Sequence, residues 1–234
     1  MRYELYYWPQ IQGRGEFIRL ALEEAGADYV DVARAKGGMD KLTRLLRNGD
    51  RPPFAPPFLK AGKLLLAQTA MILFFLGGRH GLAPKDEVGR FWVHQCQLTL
   101  LDFLVEIHDT HHPIASGLYY KDQKPEALRR AADFRASRLP KYLGYFEKLL
   151  TNHPRGGLAG AKLCYADLSL FQTVEGLVYA FPQTMSRARP RYPRLHALHD
   201  RVAARPRIKA YLASSRRIRF NEQGIFRHYP ELDG

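Results

Sequence analysis

The chain contains little cysteine. Only Cys96 and Cys164 occur among its 234 residues, and they form neither a CxxC pair nor a zinc-ligand spacing. A disulfide framework, which small secreted proteins use in place of a large core, is therefore excluded. We expect a protein of the reducing cytoplasm.

Long apolar runs are also missing. No segment approaches the ~18 consecutive apolar residues that a membrane-spanning helix needs. The chain begins Met1-Arg2-Tyr3-Glu4, and these early charges do not suit a signal peptide. We therefore expect no membrane partner.

Acidic residues are too few to balance the basic ones. The 36 Lys and Arg residues against 23 Asp and Glu residues give a formal net charge of +13. The basic residues are densest over residues 187–194 and 205–219, but no nucleic-acid-binding motif accompanies them. Most are expected to be solvated surface, with attraction of a small anionic ligand as the second interpretation. We expect no nucleic-acid partner.

The first 80 residues alternate strand and helix patterns. The last predicted helix of this part is apolar almost throughout and is expected to stop at Gly77-Gly78. This order is typical of a small mixed sheet with helices packed on it. The predicted strands cover residues 3–8, 28–32, 57–60 and 63–67, and the predicted helices cover residues 16–25, 39–46 and 69–76.

The rest of the chain shows helical periodicity and no convincing strand. We predict an α/β domain over residues 1–80, a linker over residues 81–88 and an all-α domain over residues 89–234. The predicted helices of the second domain cover residues 88–109, 126–150, 166–180, 191–204 and 207–213.

The end of the first strand carries a pattern suited to anion stabilisation. Tyr7 is followed, after a short loop, by Gly13-Arg14-Gly15 at the start of a helix. A hydroxyl that faces a helix N-terminus and an arginine can stabilise a negative charge. Strand alternation sends Tyr6 and Tyr7 to opposite faces, so only one of them can serve. We favour Tyr7.

Two further segments are weak when taken alone. Pro56-Pro57 precedes a strand, where an X-Pro bond can be cis, although a plain strand entry is the simpler interpretation. Gln68-Thr69 opens the apolar helix, where backbone N–H groups can hold a carboxylate, although Thr69 could equally be an ordinary N-cap.

In this order and spacing, the three segments resemble the cytosolic glutathione transferases, most closely the tyrosine-type classes sigma, alpha, pi and mu. The resemblance covers nearly the whole chain. It implies a thioredoxin-like first domain, glutathione as co-substrate without a metal, a homodimer, and a detoxifying enzyme, here expected to be a bacterial-type member. A family capping motif on a buried helix is represented by Asp167, which we expect to accept a hydrogen bond from the backbone N–H of Cys164.

The resemblance also implies roles for individual residues. Tyr7, beside the aromatic Trp8, would donate a hydrogen bond to the glutathione sulfur, and Arg14 would supply a nearby cation. The remaining glutathione contacts would come from Trp8, Pro56, Pro57, Gln68 and Thr69.

A histidine cluster stands at the end of the first long helix. In the resembling family this region overlooks the electrophile pocket, so His108, His111, His112 and Tyr119 are expected to line that pocket. Structural histidines are the second interpretation. A zinc site of His108, His112 and Asp109 is the least favoured, because Pro113 disfavours helical geometry at His112.

The sequence thus predicts a transferase that joins the glutathione thiolate to a hydrophobic electrophile. A non-catalytic binding or scaffold protein of the same fold, and a glutathione-dependent isomerase or peroxidase, remain as alternatives.

Overall fold

A four-stranded mixed sheet forms the first part of the molecule. The computed structural model describes residues 1–153 and 155–234. The strand order is β2-β1-β3-β4, with β1 parallel to β2 and antiparallel to β3, and β3 antiparallel to β4. This confirms the predicted small mixed sheet. The strands are β1 (Tyr3–Tyr6), β2 (Tyr29–Asp31), β3 (Phe58–Ala61) and β4 (Leu64–Ala67).

Alternation along β1 divides the packing between the two faces of the sheet. Tyr3 and Leu5 belong to the main hydrophobic core, whereas Tyr6 packs in a smaller cluster with Phe58 and Leu42. Successive side chains of a strand point to opposite faces, so this division follows from the sequence. It also places Tyr7 on the side of the main core.

Three helices accompany the sheet. The predicted end of the third helix at Gly77-Gly78 is wrong, because this helix continues to His80 and is capped by Gly81. Gly77 is required where the helix meets Tyr165, since a Cβ there would lie 2.6 Å from the Tyr165 ring. This glycine therefore permits close packing instead of ending the helix. The helices are α1 (Gly15–Ala25), α2 (Gly38–Arg47) and α3 (Thr69–His80).

The second part of the molecule is helical throughout its described elements, as predicted. The single helix predicted over residues 126–150 is divided by a π-helical turn, Phe134–Arg138. None of the described helices has the length and apolar character needed to cross a membrane. The helices are α4 (Glu87–Asp109), α5 (Lys124–Asp133), α6 (Leu139–Thr151), α7 (Tyr165–Ala180), α8 (Pro182–Ala188), α9 (Pro193–Ala203), α10 (Pro206–Leu212) and α11 (Pro230–Asp233).

Residues 81–86 connect α3 to α4, and the two parts pack closely. Helix α1 contacts α7 and α10, and one hydrophobic cluster extends across both parts. Asp167 accepts a hydrogen bond from the backbone N–H of Cys164 at 2.8 Å, as predicted, and a second from Leu158 at 2.8 Å. The domain boundaries themselves stay a prediction.

The C-terminal segment, residues 213–229, crosses back to the sheet domain. The side-chain amide of Asn221 donates to the Gln10 carbonyl at 2.9 Å. The Gln12 side chain donates to the Ile218 carbonyl. These bonds hold the segment over the loop that follows β1.

Candidate functional site

Three strand ends lie together at one edge of the sheet. β1 ends one residue before Tyr7, β3 begins one residue after Pro57, and β4 ends one residue before Gln68. β3 pairs in register with both neighbours at this end. Because neighbouring strands are ~4.8 Å apart, the three positions span roughly 10 Å. The predicted glutathione-contacting segments therefore share one edge.

Tyr7 is held at the N-terminus of α1. Its side chain is only 5% exposed, and its hydroxyl oxygen accepts a hydrogen bond from the Arg14 backbone N–H at 2.8 Å. A tyrosine hydroxyl can accept through its lone pairs and still donate its own proton. Burial raises the pKa of Tyr7, and the hydrogen bond and charge of Arg14 offset this only in part. The hydroxyl therefore remains a protonated donor at neutral pH.

Two glycines make room for the Tyr7 ring. A Cβ at Gly13, whose φ is +45°, would lie 2.2 Å from the Tyr7 hydroxyl oxygen. A Cβ at Gly15 would lie 2.6 Å from Cγ of Tyr7. From the sequence we interpreted these glycines only as the opening of a helix. Their spacing around Arg14 was the available signal that the backbone approaches an aromatic ring closely.

Tyr6 lies on the other face of the sheet. Its hydroxyl donates to the Glu4 carboxylate at 2.5 Å, and its ring stacks on Phe58 with 4.9 Å between centroids. Burial and the Glu4 carboxylate together raise the pKa of Tyr6. The hydroxyl of Tyr6 is thus engaged away from Tyr7.

The loop between Tyr7 and Gly13 is anchored by a buried glutamine. Gln12 is 5% exposed, and its Oε1 accepts a hydrogen bond from Gln172 Nε2 at 2.7 Å. Its Nε2 donates to the Ile218 carbonyl. The loop is therefore fixed to α7 and to the C-terminal segment, and Tyr7 still reaches the N-terminus of α1.

The other two segments have distinct backbone geometry. The Pro56–Pro57 bond is cis, and Gln68 has φ +68°. A positive φ in a residue other than glycine is a strained conformation, typical of functional sites. Thr69 is the first residue of α3 and Gln68 is its N-cap, so the alternative interpretation of Thr69 as an ordinary N-cap is wrong. The Thr69 hydroxyl is buried and has no hydrogen-bond partner among the described residues.

A cavity of about 410 Å³ opens beside Tyr7. Its wall combines the β1–α1 loop, the end of α4 and the C-terminal segment. The wall contains two arginines, Arg14 and Arg227, and one carboxylate, Asp109, so positive charge predominates in it. The lining residues are Tyr7, Trp8, Ile11, Arg14, Val105, His108, Asp109, Ser116, Gln223, Gly224, Ile225 and Arg227.

The residues predicted for the electrophile pocket separate into three places. His108 lies in the wall of the Tyr7 cavity, and His112 and Tyr119 line a neighbouring cavity of about 650 Å³. His111 lines neither cavity, because it is 1% exposed and its Nε2 bonds the Ile225 carbonyl at 2.8 Å. One ring nitrogen from each of these histidines lies within 4.8 Å of the others.

The contribution of the C-terminal segment was missed by sequence reasoning. Gln223, Ile225 and Arg227 belong to the cavity wall, yet this part of the sequence has no clear periodicity. The sequence contains no local signal that brings this segment to Tyr7, since its contacts come from residues far away along the chain.

Known proteins similar to this chain align with it along nearly its whole length. Residues 108–215 match the family model described as glutathione S-transferase, C-terminal domain. A glutathione S-transferase of Plasmodium falciparum (isolate 3D7) is 26% identical over 218 residues, covering 90% of this chain and 94% of the relative. A glutathione S-transferase of Gallus gallus is 28% identical over 223 residues, covering 94% and 93%.

A solved structure agrees with these relatives. The pi-class glutathione S-transferase of Onchocerca volvulus superposes with a TM-score of 0.71 at 25% identity, covering 91% of this chain and 92% of that one. The expected bacterial-type source is not tested by these comparisons and stays a prediction. The family model, the full-length relatives and the shared fold lead to one conclusion: over nearly its whole length the chain is similar to the glutathione S-transferases.

Proposed function

We propose that this protein is a glutathione transferase that joins the glutathione sulfur to a hydrophobic electrophile. The observation that carries the proposal is the Tyr7 hydroxyl, which accepts the Arg14 N–H and keeps its own proton for donation beside the cavity. In the reaction, the thiolate sulfur forms a bond to an electrophilic carbon. In a substitution, the leaving group departs with the electron pair of its bond to that carbon. In an addition to an activated double bond, the carbanion that forms takes up a proton.

The free energy needed to stabilise the glutathione thiolate is of the size that a single preorganised hydrogen bond supplies. A free thiol has a pKa of ~8.5, so only a few per cent is thiolate at neutral pH. Lowering that pKa by about two units requires ~2.7 kcal/mol of preferential anion stabilisation. Removal of one preorganised donor to an oxyanion costs a rate factor of ~10²–10³, which is the same size. Tyr7 alone could supply most of the effect, with Arg14 as a supporting cation.

The sheet edge suits an extended tripeptide. Three extended residues span roughly 10 Å, similar to the separation of Tyr7 from Gln68 across β3. In this pose the cysteinyl part meets Pro56, which offers only its carbonyl because proline has no N–H. The γ-glutamyl end meets Gln68, Thr69 and the free backbone N–H groups at the start of α3.

The electrophile would occupy the cavity beside Tyr7. Trp8, Ile11, Val105 and Ile225 supply its apolar surface. His108 in the same wall could donate or accept a hydrogen bond to a polar group of that molecule. The identity of the electrophile is not part of the proposal.

A detoxifying role, a cytoplasmic location and a homodimer belong to the same proposal and rest on the family. Phe54 and Phe91 are 95% and 58% exposed and would be available for burial between two copies. Sedimentation of the full chain would measure the oligomeric state.

Calorimetry and a conjugation assay test the function together. We expect the full chain to bind glutathione and to conjugate it to a chlorodinitrobenzene electrophile. The Tyr7→Phe variant should lose ~100-fold in rate while still binding glutathione, because the hydroxyl acts mainly on the sulfur anion.

Three other results would contradict or redirect the proposal. Absence of glutathione binding at millimolar concentration would favour the scaffold alternative. Binding without conjugation, but with Tyr7-dependent peroxide reduction or isomerisation, would redirect the thiolate to that chemistry. Full conjugation activity in Tyr7→Phe would remove the assigned donor.

A further inference from the structure

The three histidines at the end of α4 form one compact cluster. The backbone N–H groups of His111 and His112 both donate to the His108 carbonyl at 3.2 Å, so the helical turn continues past Asp109. The His108 and His112 rings stack with 4.9 Å between centroids and 26° between planes. His112 itself lies outside α4, which ends at Asp109, as expected from Pro113, but the turn that follows still brings its ring onto that of His108.

The position of the proton on His111 follows from its partner. Its Nε2 lies 2.8 Å from the Ile225 carbonyl oxygen, which can only accept, so Nε2 carries the hydrogen. The lone pair of neutral His111 is then on Nδ1. This nitrogen lies 2.5 Å from Nδ1 of His112, which must donate its own hydrogen in the metal-free protein. A histidine whose second nitrogen donates to a backbone carbonyl is oriented as metal-bound histidines usually are.

We propose that His108, His111 and His112 bind one divalent transition-metal ion of the zinc type, with an open coordination position. One nitrogen from each ring already lies within 4.8 Å of the other two. With metal–nitrogen bonds of ~2.0–2.1 Å, tetrahedral ligands are roughly 3.3 Å apart. The His111–His112 pair must therefore separate by about 1 Å and the wider pairs must close by up to about 1.5 Å, which small ring rotations allow.

Some groups around the cluster favour the binding of a cation and others oppose it. Burial lowers the pKa of His111 to about 2 and that of His112 to about 4, so neither ring holds an extra proton at neutral pH. Burial also lowers the pKa of His108, although Asp109 opposes this. The nearby Arg227 repels a cation, whereas the Asp109 carboxylate, 3.7 Å from His108 Nδ1, attracts one. We therefore expect moderate affinity.

The ion would connect two elements of the cavity. His108 lies in the wall beside Tyr7, and His111 bonds the C-terminal segment at Ile225. Three protein ligands and an open position are typical of zinc sites that take water or a ligand. The expected class of exogenous ligand is a small oxygen or nitrogen donor entering from the cavity.

The test is metal binding to the full chain, stripped with a chelator and free of glutathione, whose thiol would compete. Calorimetry with Zn²⁺ should give one ion per chain, and Co²⁺ should give the strong visible absorption of a tetrahedral site. His108→Gln and His112→Gln should each weaken binding by at least ~100-fold, since loss of a ligand exceeds the 10–100-fold effect of a lost outer-shell partner. His153→Gln, at an exposed position outside the cluster, is the matched control and should bind as the unchanged chain does.

Two results would overturn the site. One is no Zn²⁺ binding and no Co²⁺ absorption at millimolar metal, which would leave a hydrogen-bonded histidine cluster only. The other is stoichiometric binding that survives in both the His108→Gln and His112→Gln variants. Circular dichroism of each variant would exclude unfolding as the cause of a loss.

Discussion

The two walls of the cavity are built in different ways. On one side, Tyr7, Gly13 and Arg14 meet within a single short stretch of chain, through a hydroxyl–backbone bond of 2.8 Å. On the other side, His111 meets Ile225, 114 positions away along the chain. The contacts of the first wall join residues that are close in sequence. The contacts of the second wall form only when the helical part packs against the C-terminal segment. A wall of the first kind can be inferred from sequence, whereas a wall of the second kind requires the structure.

The largest expected effect comes from a buried charge that joins α1 to α10 and to the C-terminal segment. Glu16 is fully buried, pairs with Arg19 at 3.1 Å and with Arg217, and accepts the Tyr211 hydroxyl at 2.6 Å. Burial opposes its ionisation, but Arg217 and Arg19 outweigh burial and lower the pKa of Glu16. Glu16→Ala should reduce the free energy of unfolding by about 3–5 kcal/mol, because it removes the carboxylate that pairs with Arg217 and leaves Arg19 paired with Asp31 alone.

Urea denaturation at neutral pH measures this difference. Glu87→Ala, at an exposed acid in the first turn of α4, is the control and should cost no more than about 1 kcal/mol. Equal losses in the two variants would mean that the buried ion pairs of Glu16 stabilise the fold no more than an exposed charge does.

A smaller effect should follow from crowding the local wall. Gly15→Ala places a Cβ where it would lie 2.6 Å from Tyr7 Cγ, so the ring must move. We expect the conjugation rate to fall at least ~10-fold, since a displacement of about 1 Å at a reacting group can cost a factor of 100. The free energy of unfolding should also fall by about 1–3 kcal/mol, because the new Cβ overpacks the buried Tyr7 side chain and this outweighs the better helix propensity of alanine.

The matched control is Gly144→Ala in α6, where a Cβ would meet nothing within 4 Å. It should raise the unfolding free energy by up to ~1 kcal/mol and leave the rate unchanged. Retention of full activity in Gly15→Ala would show that the ring position is not fixed by this glycine.

The smallest predicted effect concerns pH and the distant wall. The folded pKa of His111 is about 2, below its ordinary value of 6.5, so the unfolded chain takes up a proton that the folded chain does not. Its contribution to stability is therefore present above pH 6.5 and decreases below it, by up to about 1.4 kcal/mol per pH unit. His111→Gln should show a flatter decline in unfolding free energy between pH 6.5 and 5 than the unchanged chain. Parallel curves for the two proteins would contradict the buried neutral imidazole.

The same contrast explains which features could be predicted from the sequence. Strand alternation predicted that Tyr6 and Tyr7 diverge, and the apolar run after Gln68 predicted the start of α3 at Thr69. The predicted end of β1 at residue 8 was wrong, since the strand ends at Tyr6. The predicted end of α3 at Gly77 was wrong because this glycine is needed for packing against Tyr165, 88 positions later. A Cβ at Gly77 would lie 2.6 Å from the Tyr165 ring. Arg227 was missed for the same reason, since no periodicity of the C-terminal segment reveals its partners.

Direct titration of the bound thiol tests the central claim about Tyr7. The ultraviolet absorbance of the glutathione thiolate, followed with pH in the complex, should give a thiol pKa about two units below ~8.5 in the unchanged chain. In Tyr7→Phe the pKa should return toward ~8.5, and in Tyr6→Phe it should stay low. A thiol pKa that stays low in Tyr7→Phe but rises in Tyr6→Phe would contradict the account.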